Sequence, residues 1–486
     1  MLVQERLLIM KKIKYYSTNN KLEKADFQTA LLNGIASNNG LYMIDKNDIP
    51  KFTKEKIKSF QNMAYCQIAF EVLYPYLANE IEKDKLKEIL FDAYSKDISP
   101  IIQYVDNGKI NIMWLTKGPT YSFKDYAARF FGRVLNYFLE KQKQKKIVVV
   151  ATSGDTGGAV ADALFGLNNI SNFVFFPKDG ISQNQRRQMT TLKNNIYAFQ
   201  IDGNFDICQT MVKRILNDKD FAKRVFNDEN IFTTANSINI ARILPQIVFG
   251  FFAYSRVAKN NEEMIASIPC GNFADMMAVV IAKNMGLPLS KIICGVNENR
   301  VFSEFLKTNK YKVQPLKICP SSAMNIAHPS NFARLIDIYG GHIYGETIDK
   351  MPDMDLMKKD LFSVSVSNQD HYNTIKDIYD KYKVILEPHG AVSLKAAQIY
   401  LNYNNSTSDK KNNCVIWETA DPGKFPECIL KAIKIKPEIP KNIIKQQAKK
   451  ERIYNINSNP DIENGIKKLS NAQYNEFLSI AKGIFD

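Results

Sequence analysis

Between Gly118 and Leu135 the chain reads GPTYSFKDYAARFFGRVL, and Ala127, Phe130, Phe131, Val134, Leu135 and the nearby Phe138 recur at steps of three and four. That spacing predicts a helix with one buried face. Ser122, followed three residues later by Asp125 and preceded by a Gly118-Pro119 turn, predicts a capping-box-like start. Lys124 then falls in the first helical turn. Upstream, to about Pro100, FQTALLNGIA and KLKEILFDAYS carry apolar residues at helical spacing and predict a mostly helical region. From Ile101 onward the pattern changes. The β-rich runs KIVVVATSG, NFVFFPKDG, NIYAFQIDG, MIASIPCGN, KIICGVNEN and NCVIWETAD alternate with helical stretches such as DICQTMVKRILND and ARILPQIVFGFFAY. Such alternation predicts an α/β fold of parallel sheets, with ligands at the C-terminal ends of the strands.

Lys124 is the first residue to which this pattern gives chemical meaning. In the first turn it faces the positive end of the helix dipole, and burial beside Phe123 disfavours its charged form. Both effects favour a free amine, the nucleophile that condenses with an aldehyde, so Lys124 is a candidate Schiff-base lysine. Taken alone, it reads more simply as a surface lysine whose stem passes over a phenylalanine. Two loops add to it. In VVVATSGDTGGAV an apolar strand ends at Ala151, and Ser153, Gly154, Asp155 and Thr156 lead into a helix. There, glycine amides and a helix start favour an anion. The loop has neither the Walker A Gly-Lys-Ser/Thr nor the Rossmann spacing, and a plain strand-to-helix turn has the same pattern. In SIPCGNFADMMAVV, Gly271, Asn272, Phe273, Ala274 and Asp275 repeat that geometry and suit a phosphate. A third strand ends at Thr419, with one hydroxyl to offer. A lysine amine, two anion loops and a lone hydroxyl are together what a pyridoxal-phosphate site requires.

Composition narrows the classes. With 45% hydrophobic and 24% charged residues in 486, the chain has an ordinary globular balance and room for two or three domains. The net charge of +15 is spread along the chain, and no nucleic-acid signature accompanies the basic stretch KAIKIKPEIPKNIIKQQAKKER, so we expect no nucleic-acid partner. Seven dispersed cysteines, with no Cys-x-x-Cys pair, predict reduced thiols and a cytoplasmic location. The four histidines have no metal spacing, and the start, MLVQERLLIMKKIKYYS, reads as neither signal peptide nor membrane span.

The motifs GPTYSFKD, TSGDTGGAV, FPKDGISQNQRRQM, DGNFDICQTMVK, NSINIARILPQIV, GNFAD and TADPGKF, in this order, closely resemble those of threonine synthase, as does the opening YYSTNNKLEKADFQTALLNGIASNNGLYMID. The resemblance implies a fold-type-II pyridoxal-phosphate enzyme, a carbon-oxygen lyase that converts O-phospho-L-homoserine and water to L-threonine and phosphate. It implies a mostly helical N-terminal domain (1–100), a larger cofactor-binding α/β domain (101–125 and 240–430), a smaller α/β domain (126–239) and a helical C-terminal tail (431–486), with pyridoxal 5'-phosphate in the cleft between the α/β domains. A monomer or homodimer is expected, without a membrane partner. Carried over by motif, Lys124 bonds the cofactor, Gly271, Asn272, Phe273 and Asp275 belong to the loop that holds its phosphate, and Thr419 faces its ring nitrogen. Ser153, Gly154, Asp155 and Thr156 form the substrate-carboxylate loop.

Several positions depart from the family pattern. Ala274 replaces a glycine, Gly180 a frequent basic residue, Asp421 a histidine, and Lys117 a histidine or asparagine. Lys117, Arg186 and Arg187 are therefore candidate cations for the substrate phosphate, with Lys117 and Arg187 first, although the arginines of QRRQM read equally as solvated helix charges. The rival readings are a phospholyase or deaminase that releases a keto acid, and a non-catalytic ligand-binding protein on the same fold.

Overall fold

The computed structural model describes residues 12–105, 110–179, 181–258, 262–404, 413–463 and 466–485. Gly180 and residues 1–11 lie outside this range. Two parallel sheets organise the chain. The larger has six strands in the order Leu361–Ser365, Leu289–Val296, Met264–Pro269, Asn413–Glu418, Ile110–Trp114 and Ile101–Val105, and only the last pair runs antiparallel. The smaller has five strands, all parallel, in the order Tyr454–Ile456, Ile196–Ile201, Ile170–Pro177, Lys146–Ala151 and Phe232–Thr234.

The runs that read as strands do so because they are buried on both faces. Every residue of Lys146–Ala151, Met264–Pro269 and Asn413–Glu418 is buried, as helix-covered parallel sheets require. On the outer face of the small sheet, Phe173, Phe175 and Phe199 pack with Met211, Tyr474 and Phe477. On one face of the large sheet, Ile112, Ile265, Ile293 and Ile416 pack with Leu386 and Leu394.

The helix Lys124–Gln142 buries Ala127, Phe130, Phe131, Val134, Leu135 and Phe138, the face its spacing predicted. Its start is built differently. The residue before it, Phe123, makes no side-chain cap, and the Ser122 hydroxyl is buried without a partner. Asp125 turns instead to Thr120, accepting from its amide at 2.9 Å and its hydroxyl at 2.5 Å. The turn is tied across to the large sheet, where the Phe123 amide donates to Thr419 O at 2.8 Å.

Both chain ends carry strands that the helical pattern did not show. The N-terminal region carries the expected helices, among them Tyr65–Leu77 and Lys83–Ala93, but also an antiparallel three-stranded sheet of Asn20–Ala25, Tyr15–Ser17 and Tyr42–Ile44. The segment 431–486 is not a helical tail. Its strand Tyr454–Ile456 extends the five-stranded sheet, a hairpin pairs Asp461–Glu463 with Ile466–Lys468, and the helix Asn471–Phe485 covers the sheet with Tyr474 and Phe477. Among the described residues no helix is long and apolar enough to cross a membrane, and no group of His, Cys, Asp and Glu is arranged to hold a metal ion. All seven cysteines are free thiols.

Candidate active site

The C-terminal ends of Lys146–Ala151, Met264–Pro269 and Asn413–Glu418 open on one cleft between the two sheets. Its lining includes Lys124, Ser153, Asp155, Thr156, Gly271, Asn272, Phe273, Ala274, Asp275 and Thr419. Residues from four separate stretches of sequence thus converge.

Lys124 is the first residue of its helix, and its side chain is only 16% exposed. Nζ lies 4.9 Å from the centre of the Phe123 ring and 3.9 Å from Asp155 Oδ2. Burial lowers its pKa, with Lys424 and Arg242 acting in the same direction, while Asp155 and Asp275 pull the other way. The net effect favours the neutral amine, as the helix position suggested.

The loop after Ala151 is folded around its own threonine. Thr152 Oγ1 accepts from the amides of Gly154 at 2.9 Å and Gly157 at 2.8 Å, so these two donors turn inward and away from a ligand. Gly154 accordingly stands behind the lining. Its role is conformational, at φ +138°. Ser153, Asp155 and Thr156 do line the cleft. Asp155 is buried with Oδ1 bound to Lys424 Nζ at 2.6 Å and Gln185 Nε2 at 3.0 Å. Burial by itself would raise its pKa, but Lys424 and Lys124 outweigh that and hold the carboxyl well below the usual range.

In the second loop Phe273 takes the left-handed conformation, φ +63°, immediately before the helix Ala274–Asn284. Its ring packs 4.9 Å from Phe302, which anchors the turn and leaves its backbone to the cleft. Asn272 is held on both ends, donating to Ser237 Oγ at 2.8 Å and accepting from the Ser330 amide. A Cβ on Gly271 would stand 2.8 Å from Ala323 O, so glycine is required there by close approach. Ala274 is accommodated as a buried residue at the helix start. Asp275, pushed up to about 6 by burial, also lines the cleft. Thr419 donates to Glu387 Oε1 at 3.1 Å. The same carboxylate, through Oε2, pairs with His389 Nδ1, and His389 also lines the cleft.

The candidate phosphate cations are elsewhere. Lys117 is exposed in a separate hollow with Arg129, Asp421 and Glu438. The turn that follows it passes through Tyr121 at φ +58° before Lys124 is reached. Asp421 caps the short turn Pro422–Lys424 by accepting from Gly423 N at 2.8 Å. Arg186 is bound through Nε and Nη2 to both oxygens of Glu451, and Arg187 donates to Lys449 O at 2.9 Å, so both arginines secure the C-terminal segment.

The cations that border the cleft are Arg242 and, at its exposed rim, Lys213. Arg242 is 3% exposed, and its Nε is buried without a partner. Sequence reasoning missed it, although the signal was present. An arginine inside the apolar run INIARILPQIV is costly to bury unless a ligand or partner meets it.

Comparison with known proteins decides the family. The profile "Threonine synthase N terminus" matches residues 14–94, "Pyridoxal-phosphate dependent enzyme" matches 113–418, and "Threonine synthase, C-terminal" matches 390–466. Threonine synthase from Pseudomonas aeruginosa is 34% identical over 459 residues, covering 90% of this chain and 95% of that protein. The chain belongs to the threonine synthase family. Threonine synthase from Saccharomyces cerevisiae is 32% identical over 86% of this chain and 89% of its own. Among solved structures, a PLP-bound threonine synthase from Brucella melitensis superposes with a TM-score of 0.83 at 28% identity, over 97% of this chain and 99% of that one. The yeast threonine synthase gives 0.82 at 28%, over 97% and 98%. A threonine deaminase from Solanum lycopersicum, at 15% identity and a TM-score of 0.50, shares the fold alone.

The cleft fits the cofactor of that family on its own chemistry. It has a buried lysine amine, a glycine cradle that a Cβ would close, a helix start beside it, and an unpartnered guanidinium nitrogen.

Proposed function

We propose that this chain converts O-phospho-L-homoserine and water to L-threonine and phosphate, with Lys124 as its central residue. The observation that carries the reading is the Lys124 amine, buried in the cleft where the two loops meet and 3.9 Å from a carboxylate. Lys124 would bond the cofactor, the backbone of Gly271, Asn272, Phe273 and Ala274 would hold its phosphate at the start of Ala274–Asn284, and Thr419 would meet its ring nitrogen. Pyridoxal phosphate, when bound, supplies the electron sink that lets protons leave carbon.

The chain's own residues do the rest. Lys124, freed as an amine with lowered proton affinity, takes protons from substrate Cα and Cβ and returns them at Cγ, which becomes the product's methyl carbon, and at Cα. The Cγ–O bond breaks with phosphate as leaving group, and water then adds at Cβ. Arg242, with its unpartnered Nε, stands ready to stabilise the departing anion. Ser153 and Thr156 offer hydroxyls for the substrate carboxylate. A cytoplasmic location is part of the reading, supported by seven free thiols.

Borohydride reduction of the cofactor-loaded protein followed by peptide mapping tests it. The label is expected on Lys124, and a label on another lysine overturns the assignment. Product analysis separates the rival chemistry, because threonine and phosphate in equal amounts are expected, whereas a keto acid as main product would mark a phospholyase or deaminase.

A further inference from the structure

Lys424 is a cation that the proposed chemistry does not use. Its side chain is 0% exposed. It leaves the short turn Pro422–Lys424, just after the large sheet's strand Asn413–Glu418, and crosses to Asp155 at the start of the small domain's helix Asp155–Leu164. Nζ lies 2.6 Å from Asp155 Oδ1 and donates to Thr120 O at 2.8 Å, a carbonyl that also accepts from Gln188 Nε2 at 3.1 Å. Thr120 belongs to the loop from which Lys124 springs. One ammonium therefore joins three segments that meet at the Lys124 amine.

The two oxygens of Asp155 are used unequally. Oδ1 takes both Lys424 and Gln185, and Oδ2 is the one that faces Lys124. A buried lysine is expensive unless its charge is needed, and apolar residues of similar volume hold such positions as well or better.

We propose that Lys424 is a positioning residue for the Lys124 chemistry: by saturating Asp155 Oδ1 and fixing the Thr120 carbonyl, it aims Oδ2 at the lysine and offsets the carboxylate's pull on the lysine's proton. This rests on Lys124 being the reacting amine. The charged groups facing Lys124 are Asp155 and Asp275, which favour its protonated form, and Lys424 and Arg242, which oppose it. Removing the charge of Lys424 removes a repulsion and leaves Asp155 less compensated, so both consequences raise the proton affinity of the Lys124 nitrogen. Lys424 acts here as a counterweight and touches no reacting atom.

The test is a pH titration of the visible absorption of the cofactor-loaded protein, which reports protonation of the Lys124 nitrogen. Lys424→Gln keeps a donor for the Thr120 carbonyl and removes the charge. It should move the midpoint up by about one pH unit, a tenfold loss of the neutral form at fixed pH. Lys424→Arg should leave it within about 0.3 unit of the unmodified protein, by retention of charge. A midpoint unmoved by Lys424→Gln, even with lowered turnover, would show a merely structural lysine and overturn the proposal. So would an Arg variant displaced as far as Gln. If Lys424→Gln does not fold, the comparison passes to Asp155→Asn against Asp155→Asn/Lys424→Gln, whose second member buries no uncompensated charge. The double variant should titrate higher, and equal midpoints overturn the proposal. An absorption band that survives Lys124→Ala would sink the lysine assignment itself, a separate failure.

Discussion

Replacing Gly154 with alanine probes how the wall of the cleft is built. Its φ of +138° and ψ of −87° are open to glycine, and a side chain there is strained by about 1–3 kcal/mol. The new Cβ would also stand 2.6 Å from Gln185 Cδ. The Gln185 amide must then swing away, releasing its 3.0 Å hydrogen bond to Asp155 Oδ1. A hydrogen bond to a charged, buried partner contributes about 1.5–3 kcal/mol. Together the two effects come to about 4 kcal/mol. For a cooperative unit of about 150–250 residues this lowers Tm by roughly 8–16 °C. Thermal unfolding followed by circular dichroism measures it, with turnover recorded alongside, because Asp155 lines the cleft. Gly166→Ala is the control, since Gly166 has φ +78° and nothing within 4 Å of where a Cβ would stand, hence strain without collision. It should cost only about 1 kcal/mol, roughly 2–4 °C. A Gly154→Ala protein that melts within about 2 °C of the unmodified one, or no lower than Gly166→Ala, would refute the reasoning.

Arg242→Met should reduce kcat/KM for O-phosphohomoserine by about 100-fold, about 2.7 kcal/mol, as expected for a lost charge-assisted contact, whereas Lys117→Ala should stay within about twofold. Equal losses in the two variants would place the phosphate in the wrong hollow. Asp125 gives a pH signature. Burial pushes its pKa up to about 6 from 3.8, so the folded state holds this proton more tightly than the unfolded chain does. Its contribution to stability therefore falls as pH rises from about 4 to about 6 and is flat above, by on the order of 3 kcal/mol. The Tm of Asp125→Asn relative to the unmodified protein should climb over that window, and a difference independent of pH would show that Asp125 titrates normally.

Where the fold was legible in the sequence, the reason is burial on both faces. Runs such as KIVVVA and NCVIWE are apolar between polar end residues because helices cover them, and the helix after Lys124 shows a clean stripe because the side that carries Phe130, Phe131 and Phe138 is buried. Tyr15–Ser17 and Tyr42–Ile44 were illegible because three residues are too short for an alternation to show. Tyr454–Ile456 owes its strand character to pairing with Ile196–Ile201, a partner that local pattern does not reveal. The loops of the site announced themselves through glycine and helix starts, but which amides face the cleft depended on Thr152 folding two of them inward. Lys117 was attractive because it neighbours Gly118 in sequence. In the fold it lines a different hollow from the one Lys124 enters. Arg242 and Lys424 lay in motifs read for other residues, and their value follows from burial, which sequence order alone does not display.

The late strand also bears on how the chain is made. Until Tyr454–Ile456 is synthesised, Ile196–Ile201 is the outermost strand of its sheet, and one row of its backbone donors and acceptors has no neighbour. At about 5–20 residues per second the ribosome needs on the order of ten seconds to a minute to cover that stretch. For the same interval Phe173, Phe175 and Phe199 lack the cover of Tyr474 and Phe477. The nascent protein thus carries an open pairing edge beside an aromatic face that Met211 and its neighbours cover only in part, the combination that invites capture by another chain or by a chaperone. Tyr454–Ile456 then pairs with the edge, and the helix Asn471–Phe485 completes the cover of the face soon after.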